Sequence, residues 1–294
     1  MFRGAIAALV TPFRNGQVDY PKLEELIERL IDAGIHGLVP CGTTGESATL
    51  TFEEHERVIE CAIKRADGRV PVIAGTGSNS TREAIELTQY AAKAGADGAL
   101  LITPYYNRPT QEGLYRHYAQ VAQTVDLPLI LYNVPSRTGV SLEAETVARL
   151  SEFETIVAVK EASGRIDLAS EIMVRADIDV LSGDDSLTLP LLALGATGVI
   201  SVAANAVPRA MVDMVDLFRE GDIEGARRIH FRLFPLLKAL FIETNPVPVK
   251  EALAMTGFMD AEVRLPLCPM TDANRRKLES VVQEVGLEIG ATQK

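Results

Sequence analysis

The feature that most constrains the fold of this chain is an alternation of short apolar runs with amphipathic helical patterns, repeated eight times before residue 222. The helical patterns, such as 21–34, 51–66 and 81–95, place apolar residues at i, i+3, i+4 and i+7. The candidate strands are 5–10, 37–42, 70–77, 98–106, 128–134, 155–161, 179–183 and 198–204. Strands that are apolar on both faces and separated by helices predict a parallel sheet covered by helices.

The joints between these units favour a closed barrel. Three of them, 34–37, 95–98 and 195–198, pair a glycine that ends a helix with a glycine that opens a strand. The first glycine of each pair suits a left-handed position after the helix. An open, doubly wound sheet is the alternative, but no change of pattern marks a second half. We therefore predict an α/β fold, a (β/α)8 TIM barrel over 1–222, with a C-terminal helical region over 223–294 packed on the barrel. Its helical patterns are 223–241, 247–257 and 272–287.

Composition limits the function classes. Lys and Arg number 29 and Asp and Glu 40, so the formal net charge is −11. An acidic chain is a poor partner for nucleic acid, because such binders neutralise phosphates with basic residues. An anionic substrate would need a local basic group.

The three cysteines, Cys41, Cys61 and Cys268, have no metal-like spacing. They predict reduced thiols and a cytoplasmic location.

Neither apolar segment of the chain is predicted to be a leader or a membrane span. The first residues, MFRGAIAALVTPF, contain an apolar run that is short for a signal peptide, and we interpret it as the first strand. The uncharged stretch 186–208 is interrupted by Pro190, Gly195 and Gly198. It predicts a short helix and a strand.

Lys160 is the unusual residue of the sixth strand, TIVAVKE. It shares strand parity with Ile156 and Ala158, so its amine is predicted to lie inside the barrel mouth, where barrel active sites form. An amine there suits a nucleophile that forms a Schiff base with a carbonyl substrate. The alternative is a lysine paired with a carboxylate such as Glu161, although Glu161 has the opposite parity and should point away.

Other strands end in residues that suit substrate binding. The second ends in PCGTTGES, where the turn Gly42–Gly45 offers backbone N–H groups and the hydroxyls of Thr43 and Thr44 to a carboxylate; an ordinary loop would look the same. The fourth ends in PYYN and the fifth in LYNVPSRTG. Tyr132 could move protons and Arg137 could bind a carboxylate with two hydrogen bonds.

Competing motifs are weak or lacking. The segment GTGSNS (75–80) has no final glycine and no acidic ribose partner, so it is a poor dinucleotide site. The four histidines fall in or near helices, which argues against a metal-dependent aldolase. The sequence has neither a Gly-Lys-Ser/Thr phosphate loop nor a Gly-x-Ser-x-Gly elbow.

Six motifs follow one another along the chain: GTTGES, TPYYNRP, LYNVPSRTG, VKEASG, LSGDD and NPVPVKEAL. Together they resemble the motifs of the 4-hydroxy-tetrahydrodipicolinate synthase (dihydrodipicolinate synthase) family. The likeness runs essentially end to end. This family belongs to the pyruvate-dependent class I aldolases, together with N-acetylneuraminate lyase. The arginine of P-S-R-T-G is the sharper mark, because the sibling lyases lack it.

The resemblance implies a role for each site residue. Lys160 would form an imine with pyruvate, Thr43 and Thr44 would hold the pyruvate carboxylate, and Arg137 would receive the carboxylate of aspartate semialdehyde. Tyr132 would relay protons, linked through Thr43 to a Tyr106 contributed by a neighbouring subunit. Backbone carbonyls near Gly183 and Ile200 would line the pocket. The resemblance further implies a homotetramer built as a dimer of dimers, and no metal or organic cofactor.

Many members of the family are inhibited by L-lysine, the end product of the lysine biosynthesis pathway to which the family belongs. The inhibitor binds in a cleft between subunits. The residues that match this cleft are Ser47, Ala48, His55, Asn79, Glu83 and Tyr105. Phe52 departs from it, because bacterial lysine-sensitive forms commonly have histidine there. The other polar contacts remain, and we predict that lysine binds.

Two alternatives remain open at this point. A sibling aldolase acting on a sugar acid or sialic acid would use the same Lys160 and Tyr132. A non-catalytic barrel that binds a ligand through the same rim is the other, although members without activity usually lose the lysine or a tyrosine.

Overall fold

Eight parallel strands form one sheet in the computed structural model, which describes residues 1–287. The strands, all predicted, are β1 (Gly4–Ala8), β2 (Gly37–Val39), β3 (Ile73–Gly75), β4 (Gly98–Ile102), β5 (Leu129–Asn133), β6 (Ile156–Glu161), β7 (Asp179–Ser182) and β8 (Gly198–Ser201). Their order is β2-β1-β8-β7-β6-β5-β4-β3. A single parallel bridge between Leu38 and Val72 joins the two ends. The sheet is thus the predicted (β/α)8 barrel.

Nine helices accompany the strands and three follow them in the described part of the chain. Those of the barrel are α1 (Tyr20–Asp32), α2 (Phe52–Ala66), α3 (Thr81–Ala94), α4 (Gln111–Thr124), α5 (Pro135–Thr138), α6 (Ala144–Leu150), α7 (Ile166–Arg175), α8 (Thr188–Leu194) and α9 (Pro208–Arg219). The C-terminal helices are α10 (Ile223–Ala239), α11 (Val247–Met255) and α12 (Asp272–Glu284), close to the three predicted patterns. Residues 288–294 of the predicted C-terminal region lie outside the described residues.

Local sequence signals explain most helix ends. Gly34, Gly95 and Gly195 have φ angles of +83°, +93° and +112°, the left-handed conformation predicted for them. At the start of α3, Ser80 is the cap, because its hydroxyl accepts a hydrogen bond from the backbone N–H of Glu83. A small hairpin, Phe13–Arg14 with Gln17–Val18, was not predicted; two-residue strands carry too little alternation to be recognised.

Apolar side chains fill both the barrel and its surroundings. Twelve buried residues form the interior cluster: Phe2, Ile6, Ala8, Val39, Ile73, Leu100, Ile130, Tyr132, Val134, Ala158, Leu181 and Ile200. Two larger clusters lie between the sheet and the helices, and the one that includes β1 and β2 extends into α10, α11 and α12. The C-terminal helices therefore share a hydrophobic core with the barrel.

The uncharged stretch 186–208 divides as predicted into α8 and β8, with a loop before α9. Among residues 1–287, we find no helix with both the length and the apolar character that crossing a membrane requires.

Candidate active site

Lys160 lies near the carboxyl end of β6, with its side chain inside the barrel and 5% exposed. It pairs in register with Tyr132 of β5 and Leu181 of β7, which both belong to the interior cluster. The Lys160 Nζ lies 4.1 Å from the centroid of the Tyr132 ring. An amine and a phenol are thereby held together on two adjacent strands, which is a suitable arrangement for imine chemistry with proton transfer.

Glu161 does not pair with Lys160, as its strand parity predicted. Its carboxylate accepts hydrogen bonds from Asn133 Nδ2 at 2.8 Å and from the backbone N–H of Ser163 at 2.6 Å. Burial raises the pKa of the Glu161 carboxyl, and these hydrogen bonds oppose that shift. Within residues 1–287, Lys160 makes no ion pair within 4.0 Å. The carboxylate-paired alternative is therefore wrong for Glu161.

The GTTGES segment forms a tight turn after β2. The backbone N–H of Gly45 donates to the carbonyl of Gly42 at 3.1 Å, and that of Glu46 donates to the carbonyl of Thr43 at 3.1 Å. The Gly45 N–H is thus used inside the turn. The prediction that it is available to a ligand is wrong. The Thr44 hydroxyl is buried and accepts a hydrogen bond from Asn245 Nδ2 at 3.0 Å.

Arg137 stands at the surface in the single-turn helix α5, immediately beyond the carboxyl end of β5. Its Nη2 donates to the backbone carbonyl of Asn245 at 3.2 Å. The guanidinium is therefore oriented by one contact and keeps its other donors for an anion.

Gly183 lies against the side chain of Lys160. A Cβ added to Gly183 would stand 2.6 Å from the Cβ of Ala162 and 3.0 Å from Lys160 Cε, so the lysine stem occupies the space that a larger residue would need. Ile200 is buried in the interior cluster. Neither Gly183 nor Ile200 borders the cavity described next, although backbone carbonyls near them are predicted to line the pocket.

A cavity of about 480 Å³ opens at the carboxyl ends of the strands. Of the predicted catalytic and substrate-binding residues, its walls include Thr43, Tyr132 and Arg137. Lys160, Thr44 and Tyr106 do not border the cavity, but Lys160 Nζ contacts the ring of Tyr132, which does. The volume is in the range of small-molecule sites.

The same cavity includes most of the predicted lysine-binding residues. Ser47, Ala48, His55, Glu83 and Tyr105 border it, and so does Phe52, which is 58% exposed. Asn79 does not border it, but its Nδ2 donates to the carbonyl of Tyr105 at 3.2 Å. Burial lowers the pKa of His55, whose Nε2 is 2.7 Å from the carbonyl oxygen of Gly75. Part of the predicted catalytic set and most of the predicted lysine-binding set thus border one cavity.

Tyr106 points away from the site of its own chain. Its side chain is 90% exposed, and its φ of +71° is in the left-handed region, which is uncommon for a bulky residue. The neighbouring Asn107 supports this conformation, because its Nδ2 donates to the carbonyl of Asn79 at 2.9 Å. Within the described residues, no hydrogen bond links Tyr106, Thr43 and Tyr132 into the predicted relay.

Sequence reasoning missed the contribution of the C-terminal region. Lys250 of α11 and Glu46 form an ion pair with side-chain exposures of 0% and 1%. The Lys250 Nζ also donates to the carbonyl of Glu262 at 2.7 Å and lies 4.2 Å from the Phe13 ring centroid. Burial lowers the pKa of Lys250, and Glu46 opposes that shift. The signal was available, because α11 is apolar on nearly all sides and a lysine within it must be buried.

Arg264 extends this network along the surface. Its guanidinium donates to both carboxylate oxygens of Glu54 at 2.7 and 2.6 Å and to the carbonyl of Thr49 at 3.0 Å. Its backbone N–H donates to Glu46 at 3.2 Å. The hydrogen bonds from the Arg264 guanidinium lower the pKa of Glu54 to about 2. In residues 1–287 we find no group of three or more His, Cys, Asp or Glu placed to hold a metal ion.

A parallel eight-stranded barrel with an amine beside a phenol at its carboxyl mouth defines a class of protein, the (β/α)8 enzymes that can form a Schiff base with a carbonyl compound. The comparisons with known proteins narrow this class. The Dihydrodipicolinate synthetase family matches residues 1–285. A 4-hydroxy-tetrahydrodipicolinate synthase of Geotalea daltonii is 59% identical over 289 residues, which are 98% of this chain and 100% of the relative. The chain therefore belongs to the dihydrodipicolinate synthetase family and is a lyase.

Solved structures agree with this assignment. Dihydrodipicolinate synthase from Aquifex aeolicus superimposes with a TM-score of 0.97 at 54% identity, covering 99% of this chain and 100% of that one. The enzyme from Cyanidioschyzon merolae, solved with lysine bound, has a TM-score of 0.94 at 43% identity and covers 98% of this chain and 99% of that one.

Proposed function

We propose that the chain condenses pyruvate with L-aspartate 4-semialdehyde to 4-hydroxy-tetrahydrodipicolinate, the committed step of diaminopimelate and lysine biosynthesis. The observation that carries this proposal is the buried Lys160 amine beside the Tyr132 ring, next to a cavity bordered by Thr43 and Arg137. Relatives named for this reaction at 59% identity over nearly the whole chain support it.

In this reaction the Lys160 amine adds to the C2 carbonyl of pyruvate, and water leaves as the imine forms. The pyruvate methyl group then loses a proton to give an enamine, whose carbon attacks the aldehyde of the semialdehyde and forms the new C–C bond. Attack of the semialdehyde amino group on the imine carbon closes the ring and returns the Lys160 amine. Tyr132, in contact with Lys160 Nζ, is placed to move protons in these steps.

The two substrate carboxylates need separate partners. The hydroxyls of Thr43 and Thr44 follow β2 and would hold the carboxylate of pyruvate, while Arg137 follows β5 and would bind that of the semialdehyde. The protonated imine withdraws electrons from the methyl carbon, so we propose that no metal or organic cofactor takes part. Three cysteines without a disulfide among the described residues favour a cytoplasmic location.

Removal of the Arg137 guanidinium tests the choice of acceptor substrate. We expect Arg137→Ala to lower kcat/KM for the semialdehyde by about 100-fold or more, because a charge-assisted hydrogen-bond pair with a carboxylate is lost. Imine formation with pyruvate should persist, since the Arg137 side chain donates to the Asn245 carbonyl and makes no hydrogen bond to Lys160 or Tyr132 among residues 1–287. The measurements are steady-state kinetics and borohydride trapping of the imine. Arg116→Ala on the exposed face of α4 is the control, with unchanged kinetics. Full activity of Arg137→Ala would contradict this role.

The exposed Tyr106 supports an oligomer in which the site is completed by a neighbouring subunit. A phenol that projects from its own chain on a left-handed backbone can reach the site of a second copy. We propose a homotetramer arranged as a dimer of dimers. Light scattering at assay concentrations measures this mass directly, and a monomeric mass in an active sample would contradict the shared site.

L-lysine is proposed as an inhibitor that binds in the cavity beside Ser47, Glu83 and Tyr105. Its ammonium needs a carboxylate, and the cavity walls supply Glu46 and Glu83. Glu46 is paired with Lys250, whereas Glu83 makes no ion pair among residues 1–287 and accepts only the Ser78 hydroxyl at 2.8 Å. We expect Glu83→Gln to raise the inhibitory lysine concentration by about tenfold without altering uninhibited kinetics. An activity curve that stays flat across millimolar lysine in the unmodified protein would exclude the proposal.

A further inference from the structure

Asn245 joins the two groups that we assign to the substrate carboxylates. It precedes α11 in the motif NPVPVKEAL, belongs to the C-terminal region and borders the cavity. Its side-chain Nδ2 donates to Thr44 Oγ1 at 3.0 Å, and its backbone carbonyl accepts from Arg137 Nη2 at 3.2 Å. One residue, 201 positions from Thr44 and 108 from Arg137, therefore contacts both.

The hydrogen bond to Thr44 controls what its hydroxyl can do. A threonine hydroxyl has a single hydrogen and two lone pairs. Because Asn245 Nδ2 fills a lone pair, the hydrogen of the Thr44 hydroxyl is left for another acceptor, and the pyruvate carboxylate that we assign to Thr44 is such an acceptor. If an oxygen faced Thr44 instead, the hydroxyl would donate its hydrogen to that oxygen and present only lone pairs to an anion.

The amide oxygen of Asn245 indicates that this residue is not selected for the stability of the fold. Asn245 is 5% exposed, and its Oδ1 is buried with no hydrogen-bond partner among residues 1–287. A buried unpaired oxygen is destabilising. A role of the Asn245 amide in substrate binding, rather than in stability, explains why such an oxygen is retained.

We propose that Asn245 is a positioning residue that keeps the Thr44 hydroxyl a donor toward the pyruvate carboxylate. This inference rests on the proposed function. The side chain acts on Thr44, while Arg137 is held by the backbone carbonyl, which a substitution of the side chain retains. The side chain of Asn245 should therefore affect pyruvate binding and leave the semialdehyde site nearly unchanged.

Asn245→Asp is the sharpest test, because it preserves shape and replaces the donor with a charged acceptor. We expect the pyruvate concentration that gives half-maximal imine trapping, and the KM for pyruvate, to rise about 10- to 100-fold. The KM for the semialdehyde should change less than about threefold. Asn245→Ala, which removes the donor but introduces no acceptor, should show a smaller rise in the pyruvate KM. In the Thr44→Val background, Asn245→Ala should have little further effect on pyruvate binding.

The unmodified protein is measured in the same borohydride experiment, which separates the two proposals. If it forms the imine and both Asn245 variants half-saturate at the unmodified pyruvate concentration, the role of Asn245 is wrong and the proposed function stands. An equal rise in both KM values would indicate a merely structural role and would also overturn it. If the unmodified protein forms no imine, both proposals fall. Should Asn245→Asp not fold, the alanine variant and its Thr44→Val double variant decide the question.

Discussion

Replacement of Lys160 by arginine is expected to lower turnover by a factor on the order of 10⁴ or more, the scale seen when an enzyme loses its nucleophile. Arginine keeps the positive charge and much of the apolar stem, but its guanidinium does not deprotonate in proteins and cannot form the imine. The prediction therefore separates the nucleophilic role of Lys160 from a simply electrostatic one. The measurement combines steady-state kinetics with borohydride trapping of pyruvate, followed by mass spectrometry of the modified peptide.

The expected adduct lies on the peptide that contains Lys160 and disappears in Lys160→Arg. Lys93→Ala, which removes an exposed lysine near the end of α3, is the matched control and should keep both the adduct and the activity. A folded Lys160→Arg variant with substantial turnover, or an unmodified protein with its adduct on another lysine, would show that the nucleophile has been misassigned.

The second large effect concerns stability. Lys250→Met is expected to destabilise the protein by about 3–5 kcal/mol, because the Glu46 carboxylate would remain buried without its ammonium partner. The thermal midpoint should fall by on the order of 10 °C. Methionine matches the length of the lysine stem, so the loss reports the missing charge more than a missing volume. Calorimetry or a thermal unfolding scan at fixed protein concentration measures the change.

A double variant makes this prediction specific. In Glu46→Gln/Lys250→Met neither charge remains, so part of the lost stability should return, as is seen when both members of a buried pair are replaced. Arg116→Met removes one member of the exposed pair with Glu112 and should change stability by less than about 1 kcal/mol. If Lys250→Met is no more destabilising than Arg116→Met, the buried pair contributes little.

The barrel could be predicted from the sequence because its signals are local and repeated. Each strand is a short apolar run between helical patterns, and glycines with positive φ stop the helices where expected. The inward direction of Lys160 and the outward direction of Glu161 follow from the period of two in a strand. Because Thr43, Tyr132 and Arg137 lie at or just after the carboxyl ends of predicted strands, they are expected at one end of the barrel. The structure places all three around one cavity.

Contacts between distant segments could not be predicted in this way. Asn245 and Lys250 reach the turn after β2 across 201 and 204 residues, and neither periodicity nor turn chemistry specifies such pairs. Their motif was recognised by resemblance, but no physical role followed from it. The use of the Gly45 N–H inside the turn was likewise hidden, because it depends on the backbone conformation of the folded loop.

The ties between the GTTGES turn and the C-terminal region also matter for anyone who recombines this chain with its relatives. Thr44 contacts Asn245, Glu46 contacts Lys250, and Glu54 contacts Arg264. A crossover placed after the last barrel strand would separate these partners, although it cuts no strand or helix. Segments 43–54 and 244–264 are best inherited from one parent, as a unit of exchange that is continuous in space and interrupted in sequence.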